Sequence, residues 1–160
     1  MARKPTAPGL DRTLTYRLHR LHKLTDLESQ RRYPEVTGLS LSDGRCLTAV
    51  GQFEPLSVNQ LALRANLNKS QASRAAQYLV DQGLVNKQGR AGDGRGVELT
   101  LSAQGRKVCN SAMAMVIQRN QEIFGCLSPA EQALLSELMD RLLAHAERSA
   151  NGETADDSTD

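Results

Sequence analysis

The chain has 160 residues, 39% hydrophobic and 24% charged, enough for one domain with a real core. Aromatic residues make up only 3% and Trp is absent, which argues against a single-strand binder that stacks bases on aromatic platforms and against an RNA-recognition sheet. The net charge of +2 is unevenly spread: Glu153, Asp156, Asp157 and Asp160 end the chain with no base among them, while residues 57–106 hold seven Lys or Arg against three acids, a net +4. A basic middle of this kind fits either a duplex-DNA footprint or a solvated surface that happens to be basic. Residues 1–9 form a basic, Pro-containing tail, expected to be disordered. Leu10, Leu14, Leu18, Leu21, Leu24 and Leu27 then recur at three- and four-residue steps, predicting a helix with one apolar stripe that runs to about Ser29. Pro34 and Gly38 break the pattern. A second helix is expected over Ser42–Gly51, capped by Ser40 or Ser42, with Leu47, Val50 and Phe53 inward and Pro55 closing the segment.

Ser57-Val58-Asn59-Gln60 is a capping box that opens a short helix, with Leu61 and Ala62 inward and an end near Ala65. After a turn at Asn66 and Leu67, Asn68 caps a further helix with Gln71 three residues on. Ala72, Ala75, Ala76 and Leu79 make its inner face, and Gly83 suits a left-handed cap with Leu84 as the following hydrophobic contact. Two helices joined by a brief turn, the second lined inside with alanines, read as helix-turn-helix. The small inner residues let the second helix pack close, so that Lys69, Ser70, Gln71, Ser73, Arg74 and Gln77 stand outward. Leu84–Lys87 and the alternating Val97–Leu101 flank a Gly-rich stretch over residues 89–96 and predict a hairpin wing. Ser102 caps a long helix with Val108, Ala112, Met115, Val116, Ile123 and Phe124 on its apolar face. Ser128-Pro129-Ala130-Glu131 opens the last helix, which carries Leu134, Leu135, Leu138, Met139, Leu142, Leu143 and Ala146. Residues 150–160 are expected to form a disordered acidic tail. The expected fold is mainly α with a small β-hairpin: a winged helix-turn-helix flanked by N- and C-terminal helices.

Gly83-Leu84-Val85, Asp93-Gly94-Arg95 and Leu101-Ser102-x-x-Gly105, in this order and spacing, resemble the MarR family of bacterial regulators, with Ser102 where the family usually has Thr. The resemblance covers roughly Leu10 to Arg148. It implies a MarR-type domain over 10–149, with 10–30 and 102–148 as dimerisation helices and 40–101 as the winged helix-turn-helix. It further implies a cytoplasmic bacterial homodimer whose recognition helices enter successive major grooves of a pseudo-palindromic operator in double-stranded DNA. A repressor of this kind would be released by a small aromatic or carboxylic-acid effector bound between the dimerisation helices and the DNA-binding lobe.

Arg74, Gln71 and Ser70 are the candidates for base edges, because Arg pairs with guanine and Gln with adenine. Ser73 and Gln77 share that face. Lys69, Asn68 and Ser57, at helix N-termini, suit phosphates. On the wing, Arg95 suits a narrow minor groove, Arg90 the backbone, and Asp93 an orienting role toward Arg95. The plain alternative for all of these is a solvated polar face. Effector candidates are Tyr16, Arg17, His19, Arg20, Tyr33, Arg45 and Cys46, since Arg beside Tyr or His suits an aromatic carboxylate; each also fits a surface charge or an interface contact. His19 and His22 share a helix face, but only His145 remains as a third His, so no metal is expected. Cys46, Cys109 and Cys126 include no CxxC and read as core or interface thiols rather than a disulfide framework or redox sensors. No apolar run approaches the ~18 residues of a membrane span. No nucleophile elbow, phosphate loop or metal-spaced set points to an enzyme, and no cofactor is expected. The alternatives are an effector-independent winged-helix architectural protein and a metal- or redox-sensing member of the same family.

Overall fold

The computed structural model describes residues 9–89 and 97–153, with side chains to residue 150. After a single 3-10 turn (Leu10–Arg12) the elements are α1 (Leu14–Thr37), α2 (Leu41–Phe53), α3 (Val58–Arg64), α4 (Lys69–Asp81), β1 (Val85–Gly89), β2 (Val97–Leu101), α5 (Ala103–Phe124) and α6 (Pro129–Glu153). They fall into two compact units, residues 1–117 and 118–160. The first holds everything up to the body of α5; the second holds the end of α5 and α6.

α1 does not stop near Ser29 but continues through Pro34 to Thr37. Proline lacks the N–H that a helix interior needs and normally ends it. Here the last turn is closed by other groups. Thr37 Oγ1 donates to the Tyr33 carbonyl at 2.6 Å, and Gly38, left-handed at φ 71°, donates its N–H to the Pro34 carbonyl at 2.9 Å. The buried Tyr33 ring anchors this stretch beside Ala112 and Met115. The leucine stripe, from Leu10 in the 3-10 turn to Leu27 on α1, is 47–72% exposed in the single chain.

Ser40, not Ser42, caps α2, accepting the Asp43 N–H at 3.1 Å. Cys46, Leu47 and Val50 are wholly buried. Phe53, expected inward, is instead 42% exposed, and the Arg64 guanidinium lies 4.5 Å from its ring centroid. A cation over its face gives the ring a partner at the surface. Gly44 lies flush against the Tyr33 ring and Gly51 against Cys109 Sγ.

Both helix-turn-helix capping boxes form as expected. Gln60 and Gln71 each return a side-chain oxygen to the cap residue's N–H, at 2.8 and 3.1 Å. Asn66, at φ 54°, makes the turn between α3 and α4. α4 ends in a Schellman arrangement: Leu84 N–H to the Leu79 carbonyl and Gly83 N–H to the Val80 carbonyl, both at 2.9 Å, with Gly83 at φ 68°. Ala72, Ala75, Ala76 and Leu79 are its buried residues.

β1 and β2 pair antiparallel, from Val85↔Leu101 to Gly89↔Val97. Leu99 and Leu101 point into the core. Leu56 adds a third arm, exchanging two backbone hydrogen bonds with Leu99 at 3.1 and 2.8 Å. The Leu-Ser-x-x-Gly motif now has a physical reason. Ser102 Oγ accepts the Gly105 N–H at 2.9 Å and donates to the Gly83 carbonyl at 2.6 Å, and Ser102 N–H reaches the Leu84 carbonyl at 3.0 Å. Gly105 brings the first turn of α5 against that same carbonyl, where no side chain fits. In the second unit, Ser128 caps α6, with Glu131 accepting its N–H at 2.8 Å. α6 runs on to Glu153, so the tail expected from residue 150 starts in helix. Residues 154–160 and 1–8 lie outside the described residues.

Candidate nucleic-acid interface

α4 presents one polar face over its buried alanines: Lys69, Ser70, Gln71, Ser73, Arg74 and Gln77 are all exposed. The structure divides them by what their side chains already do. The Gln71 side-chain oxygen is held by the Asn68 N–H, and Asn68 Oδ1 by the Gln71 N–H at 2.8 Å. A bidentate contact from Gln71 to adenine would need that oxygen, so it would open the capping box. Gln77 donates to Asp81 at 2.8 Å and accepts from Lys87 Nζ at 3.5 Å. Ser70, Ser73 and Arg74 make no side-chain hydrogen bond or ion pair among the described residues. Arg74 borders a shallow depression shared with Ser42, Asp43, Gln71, Ala75 and Tyr78. Ser57 is half-buried, its hydroxyl accepting the Gln60 N–H at 3.2 Å. Arg90, Asp93 and Arg95 lie outside the described residues. Lys87, exposed on β1 beside Gln77, was missed from the sequence. Strand alternation puts it in phase with buried Val85, so its place in the basic middle of the chain was the available signal.

The effector candidates do not converge. Tyr16, Arg17, His19 and Arg20 are exposed near the start of α1, ~20–25 Å along the helix axis from Tyr33 at 1.5 Å per residue. Tyr33 is buried under Gly44, and burial pushes its phenol up, while neighbouring Arg45 and Thr48 pull it down. Cys46 is corrected from ligand contact to core residue. It is fully buried, and burial, with Asp43 adding to it, pushes its thiol up to about 12. Burial raises Cys109 too, and Cys126 is exposed. Iodoacetamide at pH 8 is therefore expected to label Cys126 in the native protein and spare Cys46, read by peptide mass mapping. Comparable labelling of both would show that the core opens readily.

One open cleft does hold an effector candidate. It is about 270 Å³ and is lined by Arg45, Thr48, Phe53, Arg64, Asn66 and Met113, among others. That volume suits a small ligand rather than a drug-sized one. Arg45 is already engaged by Asp26, through Nη2–Oδ1 at 2.5 Å and Nη1–Oδ2 at 3.4 Å. Arg64 pairs with no carboxylate among the described residues, so it is the freer anion partner, with Phe53 beneath it. The sequence offered no reason to join Arg64 to Arg45, which comes from another helix. No group of three or more His, Cys, Asp or Glu among the described residues is placed to hold a metal ion, and none of their helices is long and apolar enough to cross a membrane.

Residues 37–96 match the MarR family model. The HTH-type transcriptional repressor Rv2887 of Mycobacterium tuberculosis is 27% identical over 105 residues, covering 66% of this chain and 76% of that protein. Its solved structure with salicylic acid is 25% identical, with a TM-score of 0.66 over 86% of this chain and 98% of that one. A MarR/EmrR-family regulator from Acinetobacter aligns at a TM-score of 0.79 and 20% identity over 88% and 99% of the two chains. The family match lies over the helix-turn-helix and the first wing strand, and those residues are similar to the MarR family, in which the related Rv2887 is a transcriptional repressor.

Proposed function

We propose that the protein is a homodimeric repressor that grips a pseudo-palindromic operator and releases it when a small aromatic acid enters the cleft beside α2. The observation that carries the DNA reading is α4: a helix packed close on alanines, with Ser70, Ser73 and Arg74 outward and unengaged among the described residues. Lys69 and Asn68 at its start, and Ser57 at the start of α3, sit where a phosphate meets backbone N–H groups. The dimer reading draws on the exposed leucines of α1 and on Leu134, Leu138, Leu142 and Leu143 of α6, apolar stripes that a lone soluble chain seldom leaves to water. We assign pairing to these helices and DNA contact to residues 40–101.

The effector reading is supported by the salicylic acid complex of the related repressor and by Arg64 over Phe53 in the cleft. A carboxylate there would meet a guanidinium, and an aromatic ring would meet Phe53. Release would be a population shift toward a spacing of recognition helices that misses the ~34 Å groove repeat.

The test uses a duplex selected by the purified protein from a random-sequence pool, followed by fluorescence anisotropy with and without salicylate. Two-fold symmetric sites, one dimer per duplex and weaker binding with salicylate are expected. Arg64→Ala is expected to raise the salicylate concentration needed for release by about tenfold, the loss of one charge-assisted contact. Failure to enrich any duplex would remove the DNA reading; enrichment with no response to salicylate would remove only the choice of effector.

A further inference from the structure

Glu54 lies one residue past the end of α2 and joins three elements. One carboxylate oxygen, Oε2, accepts the backbone N–H of Leu101 at 2.6 Å. The other, Oε1, accepts Arg106 Nη2 at 2.7 Å, in the first turn of α5. Two residues further on, Leu56 pairs with Leu99 in both directions. Successive N–H groups at i and i+2 leave a strand on the same edge, so Leu99 and Leu101 both donate away from β1. The Leu56 carbonyl takes the first. Pro55 separates Leu56 from Glu54, and the side chain of Glu54, not its backbone, takes the second. The carboxylate side chain is only 21% exposed. Burial pushes it toward the neutral form, but the Leu101 N–H and the Arg106 guanidinium outweigh burial and hold its carboxyl below the usual range.

A two-stranded ribbon is marginal by itself and takes its direction from what holds its base. Leu99 and Leu101 anchor one face of β2 by burial. The edge of β2 is held by Leu56 and Glu54 alone among the described residues. We propose that Glu54 is a positioning residue for DNA binding: by holding the end of β2 it sets the direction of the hairpin relative to α4. This rests on the DNA reading above. It places the effect of Glu54 on the wing's share of the contacts and leaves the outward face of α4 as it is.

The experiment measures affinity for the selected duplex across a range of NaCl concentrations, for full-length wild type, Glu54→Ala, Glu54→Gln and Arg106→Gln. Hydrogen exchange at the Leu101 amide is followed in parallel. Glu54→Ala is expected to weaken binding about tenfold and to lower the salt slope by about one, as when a phosphate contact is lost. Leu101 exchange should accelerate. Glu54→Gln keeps an oxygen for Leu101 and is expected to regain most of the affinity, while discrimination against base-substituted duplexes stays as in wild type. A folded Glu54→Ala protein with wild-type affinity and salt slope overturns the assignment, and so does lost affinity at an unchanged slope, which would mark simple destabilisation. If Glu54→Ala does not fold, Arg106→Gln decides: it frees Glu54 from α5 and is expected to lower the salt slope and to speed Leu101 exchange, and a wild-type slope with wild-type Leu101 exchange in it overturns the assignment. Wild-type protein that ignores duplex DNA sinks the DNA reading and this assignment together, whereas wild-type binding matched by the variants sinks the assignment alone.

Discussion

Gly105→Ala is expected to destabilise the fold by about 3 kcal/mol, the upper range for forcing an extra carbon into a filled site. A Cβ at this position would stand 1.8 Å from the Leu84 carbonyl oxygen and 2.8 Å from its carbon. Both are backbone atoms and have no rotamer to escape into. Nor is Leu84 free to retreat, because it closes the Schellman arrangement on α4 and accepts the Ser102 N–H at 3.0 Å. In an unobstructed helix the same change gains up to ~1 kcal/mol, so the sign of the effect tests the contact. Denaturant unfolding of both proteins gives the number. Gly89→Ala, on strand β1 with nothing among the described residues within 4 Å of the added carbon, is the control for an unobstructed position and is expected to change little. Unaltered stability of Gly105→Ala would mean that α5 can draw back from the wing without loss.

Arg74→Ala is expected to weaken binding to the selected duplex by about 1–3 kcal/mol and to relax the preference at one base pair. Among the long polar side chains of α4, Gln71 and Gln77 are occupied by the cap and by Asp81 with Lys87. Arg74 sits mid-helix with all its guanidinium donors uncommitted among the described residues. Competition against duplexes altered one base pair at a time would read out both effects. An equal loss on every duplex would make Arg74 a phosphate contact instead, and no loss would move base reading elsewhere on the helix. Salt should separate the two, since a phosphate contact steepens the salt dependence and a base contact does so far less.

The helix-turn-helix was legible because its signals are local. Each capping box spans four residues, and the alanines at 72, 75 and 76 repeat within one helical face. The end of α1 was less so, because Pro34 argues for a break and the reason it is tolerated, Tyr33 anchored beside Ala112 and Met115, lies on another helix. Phe53 misled for a related reason: an aromatic in phase with Val50 reads as core, and its guanidinium partner comes from α3. Glu54 gave no sign at all, since its partners lie 47 and 52 residues away. Cys46 was rightly read as a core thiol and wrongly also offered as a ligand contact; its place between buried neighbours decides for the first.

Gly44 and Gly51 stand two turns apart on α2, and each is in contact with a neighbouring helix, through Tyr33 and Cys109. Replacing helical glycines by alanine is a common route to hardier proteins, worth up to ~1 kcal/mol apiece. Here an added methyl would strike the Tyr33 ring at 2.2 Å in one case and Cys109 Sγ at 2.5 Å in the other. Stabilising redesign must therefore spare both positions. A homologue that carries alanine at the place of Gly44 or Gly51 should show a smaller side chain opposite, in the place of Tyr33 or Cys109.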